Sequence, residues 1–204
     1  MFWDKVAGVY DLFVNVVNRK CHKDLCAYVE GLFNSCDQVL ECGCGTGMLT
    51  KHIAGNCKTI TATDFSEKML IRARKNCTKF TNVTCEWADI TDLKYDDNSF
   101  DKAVAANVIH LLEDPKATLK GLERVCRNGG ELIIPTYVNR EKKGKDNIFS
   151  KMFAKAGAGF KRQFSFDSYK EFIRDCGYSD ADFKLIGGKM PCAVAVIRVK
   201  KSVE

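Results

Sequence analysis

The sequence is poor in several features that would mark other classes of protein. It has only 3 Pro and 3 His in 204 residues, and it has no periodic repeat or low-complexity tract. Collagen-like, solenoid and disordered chains are therefore excluded. No apolar run approaches the roughly 18 residues of a membrane span. The apolar start MFWDKVAGVYDLFVNVV is interrupted by Asp4, Lys5 and Asp11. It lacks the basic start, unbroken apolar run and small-residue cleavage site of a secretory signal, so the expected location is cytoplasmic. There is no CxxC pair, and the 11 cysteines are odd in number and scattered through apparent core elements, which reads as reduced thiols and not as a disulfide frame. Cys21, His22 and Cys26 match no common zinc spacing and have no second cluster to complete four ligands, so no metal is expected.

What is present is enough for a sizeable core: 46% hydrophobic and 28% charged residues over one domain's length. The net charge of +6 is localised. Residues 138–162 carry eight basic side chains (Arg140, Lys142, Lys143, Lys145, Lys151, Lys155, Lys161, Arg162) against Glu141 and Asp146, and the rest of the chain is neutral. One basic segment thus sits on a balanced body.

From Asp37 onward, short apolar runs alternate with turns and helical stretches, the pattern of an α/β fold with a mostly parallel sheet. Strands are expected at 38–42, 59–63, 83–87, 100–107 and 131–137, with a final hairpin of 182–186 and 192–199. Helices are expected over Met48 to Ala54, after a Ser66 cap to Lys75, from Asp114-Pro115 to Cys126, and from Ser165 to Cys176. Asn128-Gly129-Gly130 is expected to separate the third of these from the fifth strand. The first 35 residues read as two helices packed on the body.

The turn after the first strand, VLECGCGTG, places Gly43, Gly45 and Gly47 at every second position, letting backbone approach a ligand closely. A dinucleotide fingerprint would need glycine where Met48 stands, and no Gly-Lys-Ser/Thr follows as a phosphate-binding Walker loop requires. The loop therefore points to a nucleoside without a pyrophosphate. Asp64, at the end of the second strand, can accept both hydroxyls of a ribose or cap a helix. Asp89, after the third strand, can accept from an adenine amino group beside the backbone of Ile90, or can be a solvated turn residue. The carboxyl ends of adjacent strands are where an open α/β sheet binds its ligand.

With ECGCGTG, ATDFSEKML, WADI, NSFDKAVAANVIHLLEDP and LERVCRNGGELII in this order, the chain resembles the class I S-adenosylmethionine-dependent methyltransferases. Within them it is similar to the group containing quinone-biosynthesis and phospholipid N-methyltransferases. The resemblance covers about 37–136. It implies a Rossmann-like seven-stranded, mostly parallel sheet of order 3-2-1-4-5-7-6, with helices on both faces and a C-terminal antiparallel hairpin. It divides a single domain into a helical cap (1–35), a cofactor-binding core (36–136), a basic lid insertion (137–165) and a C-terminal helix and hairpin (166–204). It implies S-adenosylmethionine as cofactor, held by Glu41, Gly43, Cys44, Gly45, Gly47, Asp64, Phe65, Asp89, Ile90 and Asn107, with Tyr10 folding over it. Members acting on nucleic-acid or amide nitrogens carry Asn/Asp-Pro-Pro-aromatic at the fourth strand's end. This chain has Asn107-Val108-Ile109-His110, which counts against such targets. His110 is the candidate general base, with packing as its other reading.

The expected partner is a small-molecule methyl acceptor. The basic segment, with Ile148, Phe149, Met152 and Phe153 as its apolar residues, suits a lipid- or quinone-like acceptor, an anionic membrane surface or a closing lid. No aromatic platform accompanies its charge, which disfavours nucleic acid. Two other readings stay open: a binding module that retains the cofactor site without transfer, and a nicotinamide-dependent enzyme.

Overall fold

A computed structural model describes residues 16–139 and 161–201. Tyr10, the first expected helix and most of the basic segment lie outside the described residues. The elements run α1 (Arg19–Glu30), β1 (Gln38–Cys42), α2 (Thr50–Ala54), β2 (Thr59–Asp64), α3 (Glu67–Asn76), β3 (Val83–Trp87), β4 (Phe100–Val104), a 3-10 turn (Ile109–Leu111), α4 (Pro115–Val125), β5 (Cys126–Tyr137), α5 (Phe166–Asp175), β6 (Asp182–Ile186) and β7 (Cys192–Arg198). The strands form one sheet of order β3-β2-β1-β4-β5-β7-β6, as the sequence implied. The pairs from β3 through β5 are parallel, and β7 is antiparallel to both β5 and β6.

The two-residue period of the strands sorts their side chains into two cores. Leu40, Cys42, Leu132, Ile134, Ala193 and Ala195 pack toward Leu119 and Leu122 of α4 and Tyr169 and Ile173 of α5. Val39, Ile133, Cys192 and Val194 pack on the other face against Cys21, Leu25 and Val29 of α1 and Ile53 of α2. Each fully buried Leu or Ile contributes on the order of 2 kcal/mol. No residue of the edge strand β3 is fully buried, and Thr84 and Trp87 are exposed.

Helix starts follow local chemistry. The Ser66 hydroxyl accepts from Met69 N (3.3 Å), the Asp114 carboxylate accepts from Ala117 N (2.9 Å) ahead of Pro115, and Ser165 forms a capping box with Ser168. All eleven cysteines are free thiols, nine of them buried.

Three boundaries differ from the sequence expectation. Strand β4 ends at Val104, not Asn107; Ala105 N and Asn107 N still donate to Ile133 O (3.1 Å) and Pro135 O (2.8 Å) of β5, and the φ of 57° at Asn107 then turns the chain away. Strand β5 begins at Cys126, so Asn128-Gly129-Gly130 lies inside a strand and not between helix and strand. There the ladder shifts register, Phe100 pairing with Cys126 but Lys102 with Glu131, and the extra residues pair with the end of β7 through Gly129 N to Val199 O (2.9 Å) and Val199 N to Gly130 O (2.8 Å). Helix α2 starts at Thr50, two residues late, because the glycine loop still turns through Gly47.

Gly130 is the tightest point of this bulge, since a Cβ there would lie 2.4 Å from the Asp101 carbonyl oxygen, whereas a Cβ at Gly187 meets nothing within 4 Å. Gly130→Ala should destabilise by about 2 kcal/mol through overpacking. In thermal melts it should lower Tm by roughly 5 °C. Gly187→Ala should leave Tm unchanged within a degree or so. Equal melting of the two variants would remove the close-approach explanation.

Candidate active site

The carboxyl ends of the parallel strands open into a cavity of about 370 Å³. This lies within the roughly 300–1,000 Å³ of small-molecule sites. Ten of the residues nominated from sequence line it: Glu41, Gly43, Cys44 and Gly45 from the first loop, Asp64 and Phe65 from the second, Asp89 and Ile90 from the third, and Asn107 and His110 beyond β4. Tyr10 lies outside the described residues, and Gly47 does not line the cavity.

The glycine loop is left-handed at all three positions, with φ of 70° at Gly43, 56° at Gly45 and 77° at Gly47. The three differ in purpose. A Cβ at Gly47 would press on Ala73 and Cys77 at 3.1–3.3 Å, so this glycine seats the loop on α3. A Cβ at Gly45 would meet nothing within 4 Å, which leaves its backbone bare toward the cavity.

Asp64 fixes the loop. Its Oδ2 accepts from Gly45 N and its Oδ1 from Ser66 N, both at 2.9 Å. The cap of α3 is Ser66 itself, so the helix-cap reading of Asp64 falls away. The carboxylate is 7% exposed and borders the cavity, where a ribose can reach it. Asp89 is exposed, and its Oδ1 accepts from both Thr91 N (2.8 Å) and Thr91 Oγ1 (2.7 Å), an Asx turn that orients the carboxylate.

Glu41 is 1% exposed, and Thr50 Oγ1 donates to it at 2.7 Å. Burial, with Asp64 nearby, pushes its carboxyl up to about 8 against the opposing Thr50 bond. His110 is buried in the 3-10 turn, and burial pushes its imidazole down to about 4, so it is neutral at physiological pH. The turn is latched by Arg162, whose backbone N donates to His110 O (3.2 Å) and whose guanidinium donates to Leu112 O (2.7 Å) and Glu113 O (3.2 Å). Lys161 pairs with Glu113.

Sequence reasoning missed the far walls. His22 and Leu25 of α1, Met48 and Leu49 of the loop, and Tyr137 at the end of β5 all face the cavity. His22 drew notice only as part of a Cys/His cluster. In the structure that cluster is split: Cys21 Sγ turns to Ile186 O (3.8 Å), while His22 Nε2 lies 3.6 Å from Cys26 Sγ. Burial, with His52 and Lys51 nearby, holds the His22 imidazole down to about 4. The amphipathic spacing of α1 announced a buried face, but nothing in it announced a cavity. Away from the cavity, the Asn18 side chain exchanges two hydrogen bonds with the Met190 backbone, at 2.9 and 3.0 Å.

These titrations make stability depend on pH. Between the ordinary 4.5 and about 8, the unfolded chain releases the Glu41 proton while the folded protein keeps it, so stability falls as pH rises. His22 and His110 act oppositely, losing stability as pH falls from 6.5 to about 4, which leaves pH 6.5–8 to Glu41. Over that interval Glu41 should cost roughly 2 kcal/mol. Tm of the ligand-free protein should fall from pH 6.5 to 8, and Glu41→Gln should flatten that slope. A slope identical in the variant would place the pH dependence elsewhere.

Residues 40–134 match the family described as "methyltransferase domain". The ubiquinone/menaquinone biosynthesis C-methyltransferase of Bdellovibrio bacteriovorus is 37% identical over 139 residues, covering 65% of this chain and 58% of the relative. The phosphatidylethanolamine N-methyltransferase of Cereibacter sphaeroides is 29% identical over 138 residues, covering 66% of each. The chain thus spans less than two thirds of either relative's length. Among solved structures, the methyltransferase in complex with the Trm112 methyltransferase activator of Haloferax volcanii superimposes with a TM-score of 0.78 over 99% of this chain and 97% of its own, at 17% identity, a likeness of fold. In sheet order, in its glycine loop and in the methyltransferase-domain match over residues 40–134, the chain is similar to the class I S-adenosylmethionine-dependent methyltransferases.

Proposed function

We propose that the protein transfers a methyl group from S-adenosylmethionine to a lipid- or quinone-like small molecule. The observation that carries this reading is the cavity itself, where the bare left-handed glycine loop, two buried carboxylates and a neutral histidine converge at the carboxyl ends of adjacent strands.

The lining fits the cofactor. The backbone of Gly43 and Gly45 would hold the methionine portion, Asp64 the ribose hydroxyls, and Asp89 with the Ile90 backbone the adenine edge. Phe65, 41% exposed at the cavity rim, would cover the nucleoside, and Cys44 and Asn107 would complete the wall. When bound, the cofactor supplies a methyl group on positive sulfur, activated for direct displacement. The protein's task is then to align a nucleophile and exclude water. His110 is neutral and buried, so it can hold a hydrogen bond to the acceptor without bringing a competing charge. An imidazole held near 4 is a weak base, and the positioning role suits it better than proton abstraction.

The acceptor class rests on the apolar walls of Leu25, Ala106, Val108, Leu111, Leu112 and Tyr137, and on relatives named for quinone and phospholipid methylation. Residues 137–165 would act as a lid, or as a peripheral contact with an anionic membrane through 138–162. Lys161 and Arg162 already serve the His110 turn, so a membrane contact would draw on the other six basic residues. Tyr10 would close over the cofactor, the working location would be the cytoplasm, and nucleic acid would not be a partner.

Calorimetric titration with S-adenosylhomocysteine and, in parallel, NADH tests the cofactor. Saturable binding of the first alone is expected, and binding of NADH alone would overturn the reading. Asp64→Ala should weaken S-adenosylhomocysteine binding about tenfold or more, the scale of lost hydrogen bonds to a charged group. Unchanged affinity would refute the ribose assignment. Transfer of labelled methyl to a quinone or lipid acceptor separates an enzyme from a binding module.

A further inference from the structure

Glu41 is an unusual residue to find facing a ligand cavity. It sits on β1 in the middle of the sheet, is 1% exposed, and borders the space where the cofactor would lie. Among the described residues its carboxyl has a single hydrogen-bond donor, the neutral Thr50 hydroxyl at 2.7 Å, and no ion pair. The groups around it offer no positive charge in compensation. From β2 comes Asp64, a second carboxylate, and Thr63, whose hydroxyl donates to the Glu41 backbone oxygen at 3.1 Å. From β4 comes Val104, its register partner. From α1 come Cys26 and His22, the thiol held in its neutral form up to about 12 and the imidazole neutral down to about 4. The thiols of Cys42, Cys44, Cys57, Cys77 and Cys85 are likewise pushed upward, toward the neutral form, by burial first and by Glu41 among their other causes. Lys51 of α2 acts on His22 and Cys26, where it disfavours the imidazolium and favours the thiolate.

A carboxylate buried without a cation is costly and holds a proton instead. A cation brought into the same low-dielectric space reverses that preference, because an opposite charge stabilises the ionised acid. The methyl donor and the spent cofactor both carry an α-ammonium, but only the donor is also cationic at sulfur, so the donor presents one more positive charge to the same residue.

Building on the proposed methyltransferase function, we propose that Glu41 is a charge-sensing specificity residue: it carries a proton in the ligand-free protein, releases it to solvent when the cofactor with its additional sulfonium charge binds, and takes one back when methyl transfer leaves neutral sulfur. The balance is simple. Binding converts the carboxylic acid to carboxylate plus one solvent proton, and transfer of the methyl, leaving its bonding pair on sulfur, removes the sulfonium charge and leaves the α-ammonium as the ligand's one remaining cation. Reprotonation then withdraws an attraction from the product alone, so the residue favours donor binding and product release together. Linkage adds that affinity for the methyl donor must rise with pH while the acid is protonated in the free protein, by up to about tenfold per pH unit, and that affinity for the product must rise less.

The test is calorimetric titration of the full chain at pH 7 in buffers of different ionisation enthalpy, which reads protons released per ligand bound. S-adenosylmethionine should release close to one proton and S-adenosylhomocysteine less than half of that. Glu41→Gln should bind the donor with no proton release and with affinity flat from pH 6 to 8. Thr50→Val, which removes the one bond favouring the charged form, should shift the pH dependence of donor affinity upward and carries the test if the glutamine variant does not fold. Donor binding without proton release, or equal release for both ligands, would overturn the inference and leave the cofactor assignment standing. Failure of both ligands to bind would overturn the cofactor assignment itself.

Discussion

The site depends first on one carboxylate. Asp64 accepts from Gly45 N in the glycine loop and from Ser66 N at the head of α3, so a single side chain ties together the ends of β1, β2 and the following helix. Charge-assisted bonds of this kind are roughly twice as strong as neutral ones, and here they hold a loop whose left-handed glycines would otherwise sample many conformations. The same two bonds orient the carboxylate for a ligand. The structural role shown here and the proposed ribose-binding role would therefore coincide in one residue.

The second constraint is electrostatic. The cavity brings three acids, Glu41, Asp64 and Asp89, against an interior whose histidines are neutral, so the described lining residues offer no positive charge. Such a lining repels phosphates and favours a cation. A pyrophosphate-bearing dinucleotide would meet the wrong sign here as well as the wrong glycine spacing, with Met48 in the position that should hold the third glycine. Backbone geometry and charge thus independently select the same kind of ligand.

Much of this was legible in the sequence because the cofactor half of the site is built from local signals. Strand, glycine turn and acid recur at fixed spacings, and parallel strands bring those turns to one edge whatever the loops between them do. What misled was local too. FDKAVAAN reads as one long strand, yet regular pairing ends at Val104 and Asn107 adopts φ 57°, its backbone N still donating to Pro135 O (2.8 Å) while its side chain accepts from Tyr137 N (2.9 Å). Asn128-Gly129-Gly130 reads as a helix stop, yet the glycines serve a bulge whose need arises only when β7, some seventy residues later, pairs with it. A turn signal tells where the chain bends, and tertiary pairing decides whether that bend falls inside a strand.

The acceptor side is harder to read for a physical reason. The activated methyl group carries the chemistry, so the protein is not obliged to display a nucleophile, a metal cluster or a strongly shifted base that would mark the substrate. In the proposed function, acceptor selection would fall to shape and apolar area, which residues such as Leu25, Leu111, Leu112 and Tyr137 bring to the cavity from three separate parts of the chain. Hydrophobic contact is non-directional and leaves no spacing rule in sequence. His22 illustrates the point: on α1 it is one turn of an amphipathic helix, indistinguishable in sequence from any half-buried histidine, and only packing of α1 over β1 and α2 turns it toward the cavity. The proposed cofactor site would thus be a property of the parallel sheet, whereas the proposed acceptor site would be a property of whatever helices are laid across its end.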